Sequence, residues 1–342
     1  MLEKGLIQIY TSDSDRFNFA PLGLALRAAG QKLRSRITCF FGHELMDGLP
    51  LAAEIFKPYL HVDASAHHLD ARDEETLKTA VPGSFRSAAE ACRGGDFDLV
   101  ILNGAVSALG RGWICLEDVC RLMEDKPDHV ELVLSGRGAP REILDRADLV
   151  TEMAVSGPSD VPWTESGPDA AYPVDVITGN GKGKTTYCLG KAMLASCMGF
   201  RSAFLQFMKF PQQYGEVMAI EKLPYLTIKS MGAGFLDPDA EGRQEKHRLA
   251  AKQAWEHCLR EIFSLKYGLV ALDEINTAGH YGLLNPRRVR EMLFLKPRSV
   301  HLLLSGRNAH PDVIEAADTV LEMREIKHPY QKGIKARRGI EF

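Results

Sequence analysis

Val176-Ile-Thr-Gly-Asn-Gly-Lys-Gly-Lys-Thr-Thr186 is the stretch that decides the fold. The residues leading into it, Val174 to Ile177, are apolar and read as a strand, and an apolar helical pattern follows it. A glycine-rich turn between strand and helix leaves backbone N–H groups free to cradle a polyphosphate. A lysine then neutralises the anion, and a hydroxyl reaches Mg2+. Lys184 is therefore expected on phosphate oxygens and Thr185 on Mg2+. The usual pattern places glycine five residues before Gly183; here that position is Thr178, and the glycine is displaced to Gly179. The expected nucleotide-binding stretch is Thr178, Gly179, Asn180, Gly181, Lys182, Gly183, Lys184, Thr185 and Thr186. Residue type alone leaves Lys182 open between a phosphate contact and a solvated side chain. Asn180 is open between orienting the loop and facing water.

Outward from the loop, short apolar runs at 174–178, 202–208, 225–230, 268–273, 300–304 and 319–323 read as strands. Helical patterns separate several of them, at about 184–199, 240–265, 286–295 and 311–317. This alternation predicts an α/β fold with a mainly parallel sheet flanked by helices, of the P-loop NTPase, RecA-like kind. Ligands of such sheets bind at the carboxyl ends of the strands. Leu269-Val-Ala-Leu-Asp273-Glu274 ends a strand in two carboxylates, and after a phosphate loop these read as Mg2+ ligands. A helix N-cap at Asp273 is the alternative. Arg307, in Ser305-Gly-Arg307, reads either as a phosphate clamp or as half of a structural salt bridge. Met231-Gly-Ala-Gly-Phe235 offers close backbone approach and an aromatic face for a flat ligand, or is an anchored loop. The basic tail from Lys327 to Arg338 either folds over an anionic ligand or is solvated.

The chain repeats itself. Residues 97–153 fall on 267–323 with a shift of 170 and no gaps, and twenty of these 57 pairs are identical. The starts of the halves align with a shift of 167, Ile7-Gln-Ile-Tyr-Thr11 on Val174-Asp-Val-Ile-Thr178. A period of this size is a domain, not a solenoid unit. Two tandem copies are thus expected, over 1–153 and 174–342, with a Pro-, Gly- and Ser-containing linker over 154–173. The copies differ where chemistry belongs. The first has Ser12-Asp-Ser-Asp-Arg-Phe-Asn-Phe19 for the phosphate loop and Asn103-Gly104 for Asp273-Glu274. The N-terminal copy is expected to be degenerate and not to bind ATP in the usual way.

The 342 residues carry a net charge of −3, which gives no bulk attraction to nucleic acid or acidic membranes. No apolar run is long enough to span a bilayer, and the first residues show no signal-peptide pattern. The seven cysteines form no CxxC pair. A cytoplasmic protein with reduced cysteines is expected.

The motifs together resemble the ATP:corrinoid adenosyltransferases of the BtuR/CobO type. The matches are Thr178 to Thr186, Gln206-Phe-Met-Lys209, Leu272-Asp-Glu-Ile-Asn276, Tyr281-Gly-Leu-Leu284, Ser305-Gly-Arg307, Glu322-Met-Arg-Glu-Ile-Lys-His-Pro329, Gly333-Ile-Lys-Ala336 and Gly339-Ile-Glu-Phe342. The resemblance spans 174–342, and the first half looks like a decayed member of the same family. It implies that Co(I) of a corrinoid such as cobalamin attacks the 5′ carbon of ATP and that triphosphate leaves. It implies catalytic roles for Lys184, Glu274 and Arg307, Mg2+ on Thr185, Asp273 and Glu274, and Phe235 against the corrinoid. A flavoprotein reductant suits this chemistry. Family members commonly pair as homodimers; here an intrachain pseudo-dimer is the alternative to a homodimer. One departure stands out: the family continues phenylalanine, any residue, tryptophan, whereas this chain has Phe235-Leu236-Asp237. Two other readings remain, a corrinoid-binding protein without turnover and a P-loop ATPase or kinase with another substrate.

Overall fold

The computed structural model describes residues 2–14, 18–41, 46–63, 74–157, 171–210, 214–234 and 243–342. Its strands are β1 (Ile7–Ser12), β2 (Ser35–Cys39), β3 (Leu60–Asp63), β4 (Leu99–Asn103), β5 (Glu131–Arg137), β6 (Leu149–Ser156), β7 (Val174–Thr178), β8 (Ser202–Gln206), β9 (Leu226–Ser230), β10 (Leu269–Asp273), β11 (His301–Ser305) and β12 (Thr319–Lys327). Its helices are α1 (Ala20–Gly30), α2 (Leu49–Ile55), α3 (Glu74–Gly94), α4 (Ala105–Gly110), α5 (Leu116–Asp125), α6 (Arg141–Arg146), α7 (Lys184–Cys197), α8 (Gly215–Ile220), α9 (Arg243–Phe263), α10 (Ile275–His280), α11 (Pro286–Leu295) and α12 (Pro311–Glu315). The order of elements in the first half is repeated in the second, so the duplication is structural as well as sequential.

All strands among the described residues lie in a single sheet of twelve, in the order β3-β2-β4-β5-β1-β6-β12-β7-β11-β10-β8-β9. Within each half the strands run parallel, and the strongly buried β1, β4, β7 and β10 sit inside, as expected for strands covered on both faces. The halves meet where β6 pairs antiparallel with β12. Met153 faces Met323, its own equivalent under the duplication, so the pairing is self-complementary, like a two-fold dimer interface written into one chain. This pairing carries β6 to Ser156, three residues into the stretch expected as linker, because the backbone there bonds to β12. Residues 158–170 of that linker lie outside the described residues.

A second self-complementary contact lies under the sheet. Gly23 of α1 and Gly190 of α7 correspond under the shift of 167, and they pack on each other. A Cβ on Gly23 would stand 1.9 Å from the Thr186 carbonyl oxygen, and one on Gly190 would stand 2.2 Å from that of Phe19. Gly30 and Gly215 make a similar close approach between α1 and α8. One core therefore holds residues of both halves, with Leu22, Leu26 and Phe19 against Tyr187, Leu189 and Met193. Each half also keeps a core of its own on the opposite face, around Val100 and Leu132 or around Val270 and Leu302.

Gly190→Ala is expected to destabilise the protein by about 1–3 kcal/mol, because a rigid backbone carbonyl occupies the place of the methyl group. Gly83→Ala in α3, with nothing within 4 Å of the added carbon, should be neutral or gain up to about 1 kcal/mol. Urea unfolding midpoints of the two variants test the close crossing; equal midpoints would refute it.

Candidate active site

β7 delivers the phosphate loop to the carboxyl edge of the sheet. Gly179 and Gly183 take positive φ, +92° and +113°, which side chains disfavour. A Cβ on Gly179 would lie 2.3 Å from the Met323 carbonyl oxygen, and the Gly181 N–H donates to that same oxygen at 2.7 Å. The loop thus folds flat onto β12. Thr178, which stands where glycine is usual, accepts from the Ala309 N–H at 3.2 Å. Thr11 does the same for Ala139 at 3.1 Å in the N-terminal half. The tie is retained where no phosphate loop is, so Thr178 holds β7 to the loop after β11.

Lys184 is almost fully buried and donates to the Gly181 carbonyl at 2.7 Å. Burial pushes its ammonium down to about 8; Arg307 adds to this, while Glu274 and Asp273 oppose it. Thr185 donates to Asp273 Oδ1 at 2.9 Å. Asp273 also accepts from Ser305 at 2.7 Å and from Gln206 at 3.1 Å. Asp273 is thus fully buried and held by three side-chain donors, and the N-cap of α10 is Glu274 instead. Glu274 is the residue that starts α10, with φ of +64°. Its N–H donates to Ser305 Oγ at 3.1 Å and its carboxylate accepts from Thr277. Burial raises the Glu274 carboxyl, and the neighbouring charge of Asp273 adds to the shift. The donor set of Thr185, Asp273 and Glu274 is all oxygen, as a hard cation such as Mg2+ takes, so these residues fit the ion. Among the described residues no group of three or more His, Cys, Asp or Glu is placed to hold a metal ion by itself.

Arg307 is exposed, and its guanidinium forms no salt bridge among the described residues. Arg307 follows β11, which pairs with β7, and its backbone N–H donates at 3.0 Å to the Thr277 hydroxyl that also bonds to Glu274. Lys182 is not simply solvated: its ammonium pairs with Glu341 at 3.1 Å. Asn180 is exposed. Thr186 donates to the Gly183 carbonyl of the loop at 3.1 Å, and its own backbone carbonyl lies in the α1–α7 crossing. Phe235 and the residues to 242 lie outside the described residues.

The tail is not a solvated terminus. Lys327 donates to the Leu144 and Asp145 carbonyls, and Arg337 forks onto Glu131 at 2.6 and 2.9 Å. Gln206, Ser305, Lys209 and Glu341 also belong to the site, without an assigned role in the sequence reading. The strand-end position of Gln206 and Ser305 was the available signal.

In the N-terminal half the same scaffold survives without its charges. Ser135 donates to Asn103, and the Gly104 N–H donates to Ser135, as Ser305 does with Asp273 and Glu274. Phe41 fills the space beside Gly104, within 2.7 Å of where a Cβ would be. Arg111 lies over both Phe41 and Trp113.

The sequence profile of the family described as ATP:corrinoid adenosyltransferase BtuR/CobO/CobP matches residues 3–156 and again 172–342. The chain belongs to this family. It carries two copies, of which the first is degenerate. A corrinoid adenosyltransferase of Sinorhizobium sp. is 39% identical over 170 residues, covering 49% of this chain and 78% of its own length. That of Pseudomonas aeruginosa is 35% identical over 168 residues, covering 49% of this chain and 82% of its own. An uncharacterized protein of Nostoc sp. is 29% identical over 267 residues, 75% of this chain and 69% of its own. No helix among the described residues is long and apolar enough to cross a membrane.

Asn103 shows that this scaffold accepts an amide in place of Asp273. Asp273→Asn should therefore fold normally by circular dichroism and lose Mg2+-dependent nucleotide affinity by about tenfold or more. Unchanged affinity with and without Mg2+ would exclude Asp273 from the metal site.

Proposed function

We propose that the C-terminal half transfers the 5′-deoxyadenosyl group of ATP to the Co(I) centre of a corrinoid, in the making or salvage of adenosylated cobalamin. The observation that carries this reading is the gathering of Lys184, Thr185, Asp273, Glu274 and Arg307 on one sheet edge, in a chain of this family. Co(I) supplies the electron pair of the new cobalt–carbon bond, and the C5′–O bond breaks with its pair going to triphosphate. The phosphate loop then holds a leaving group instead of a γ-phosphate to be cleaved. Lys184 and Arg307 face the developing charge of that group, where fixed cations in a partly buried site act most strongly. Mg2+, held by Thr185, Asp273 and Glu274, would supply further charge neutralisation there. Glu274 orients the site through Thr277, and Phe235 would press on the corrinoid. A precursor of the cob(I)yrinic acid a,c-diamide kind is a substrate to test beside cob(I)alamin, with a flavoprotein as reductant. The cytoplasm is the proposed location, with neither nucleic acid nor membrane as partner.

The N-terminal half takes the place of a partner subunit, through the α1–α7 crossing and the β6–β12 pair. The purified chain should run as a monomer; a dimer built from C-terminal halves alone would overturn this arrangement. It should bind one ATP per chain in calorimetry, since Asn103-Gly104 and Phe41 replace the acidic pair and its space.

With ATP, Mg2+ and reduced cob(I)alamin, a light-sensitive cobalt–carbon spectrum should appear with stoichiometric triphosphate. Lys184→Ala should lower the rate by about 10²–10³-fold. Corrinoid and ATP binding without triphosphate would instead favour a corrinoid-handling protein, and release of ADP or orthophosphate a P-loop ATPase or kinase.

A further inference from the structure

Two chains of charges cross from the N-terminal half to lysines at the candidate site. In the first, Arg27 of α1, 5% exposed, donates through Nε to Glu216 Oε2 at 2.9 Å. Glu216 of α8 is fully buried, and its other oxygen accepts from Lys209. Lys209 follows β8 and Gln206, and its charge reaches Glu274. In the second, fully buried Glu131 of β5 is gripped by both Nη atoms of Arg337. Arg337 Nη2 also donates to Glu341 Oε1 at 3.0 Å, and that oxygen accepts from Lys182 of the phosphate loop at 3.1 Å. The two join, because Arg27 Nη1 donates to the carbonyl of Ile340, the residue beside Glu341, at 2.8 Å.

The chains run one way only. The position on α7 equivalent to Arg27 is Leu194, and the one on β11 equivalent to Glu131 is His301. His301 pairs with Asp175 inside its own half. A merely packed two-fold interface would show the same contacts in both directions. Here the half without a phosphate loop sends charge toward the half that has one.

We propose that Arg27 and Glu131 are positioning residues for Lys209 and Lys182. A lysine ammonium sits on a long stem with large rotamer freedom, and holding it before the anion arrives removes that cost from binding. Each acceptor along the chain, Glu216 or Glu341, fixes one ammonium, and each arginine fixes that acceptor. The inference rests on the phosphate loop binding ATP, but not on adenosyl transfer, so it is read from nucleotide affinity.

The test is a pair of double-mutant cycles on ATP dissociation constants: Arg27→Gln with Lys209→Met, and Glu131→Gln with Lys182→Met. Each single substitution should weaken ATP binding about tenfold, the scale of one charge-assisted hydrogen bond. Each double should be close to its lysine single, because the outer residue acts only through that lysine. Arg27→Lys should recover part of the loss, and KM for ATP should rise while KM for the corrinoid stays put. Effects that multiply in both cycles would make Arg27 and Glu131 plain packing residues and overturn the proposal. If Arg27→Gln does not fold, Arg27→Lys and the Glu131 cycle carry the test. A wild-type chain that binds ATP without adenosyl transfer would sink the proposed reaction alone; one that binds no ATP would sink both.

Discussion

The contact between Gly23 and Gly190 sets how near the two halves lie. With no side chain at either position, the backbones of α1 and α7 touch, and Phe19 and Tyr187 pack edge to face beside the crossing, with ring centroids 5.3 Å apart. α7 begins at Lys184, so the helix that carries the phosphate loop is the one clamped to the other half. Tyr10 of β1 reaches the loop itself: a Cβ on Gly183 would meet its ring at 2.9 Å. Burial raises the Tyr10 phenol, with Glu341 and Glu131 adding to the shift, so it stays a neutral donor, to Gln8. The close crossing at α1–α7 is what lets Arg27 and Glu131 stand within reach of a site they do not belong to by sequence.

The duplication separates scaffold from chemistry. Contacts present in both halves hold the fold: Thr11 and Thr178 on the loop after the next strand, Asp148 and Asp318 on the starts of β1 and β7. Contacts present in one half include those of the acidic pair. Asp273 receives three donors where Asn103 receives Ser135, and Phe41 stands where Glu274 would project. The N-terminal half has kept the bonds of Gly104 to Ser135 and of Arg137 to Ser107, as Glu274 bonds to Ser305 and Arg307 to Thr277, while losing the carboxylates. A half that served only as a relic would have no reason to keep Glu131 and Arg27 buried and paired with the other half, since buried ions are costly unless well paired.

Much of this was legible in the chain. The strands and helices of the C-terminal half fall within a few residues of their expected places, because apolar periodicity and glycine punctuation are local signals. The short helices α8 and α10 escaped, being six residues each and too brief for a period to show. Lys184, Thr185, Asp273 and Glu274 come together as the motifs imply, since each follows a strand of one parallel sheet. Composition leaves the tail open between a solvated run and one folded over a ligand, because its docking depends on partners far along the chain, Leu144 and Glu131.

By itself the sequence determined the phosphate loop, the acidic strand end, the duplication and the decay of its first copy. All of these are patterns within short windows or between aligned ones. Only the tertiary structure decided that the copies share one sheet through β6 and β12, and that Arg27 meets Glu216 across 189 residues and Arg337 meets Glu131 across 206. Such pairings leave no spacing to read. They arise because the self-complementary crossing brings distant chain segments into contact, and buried charges, once there, must find partners.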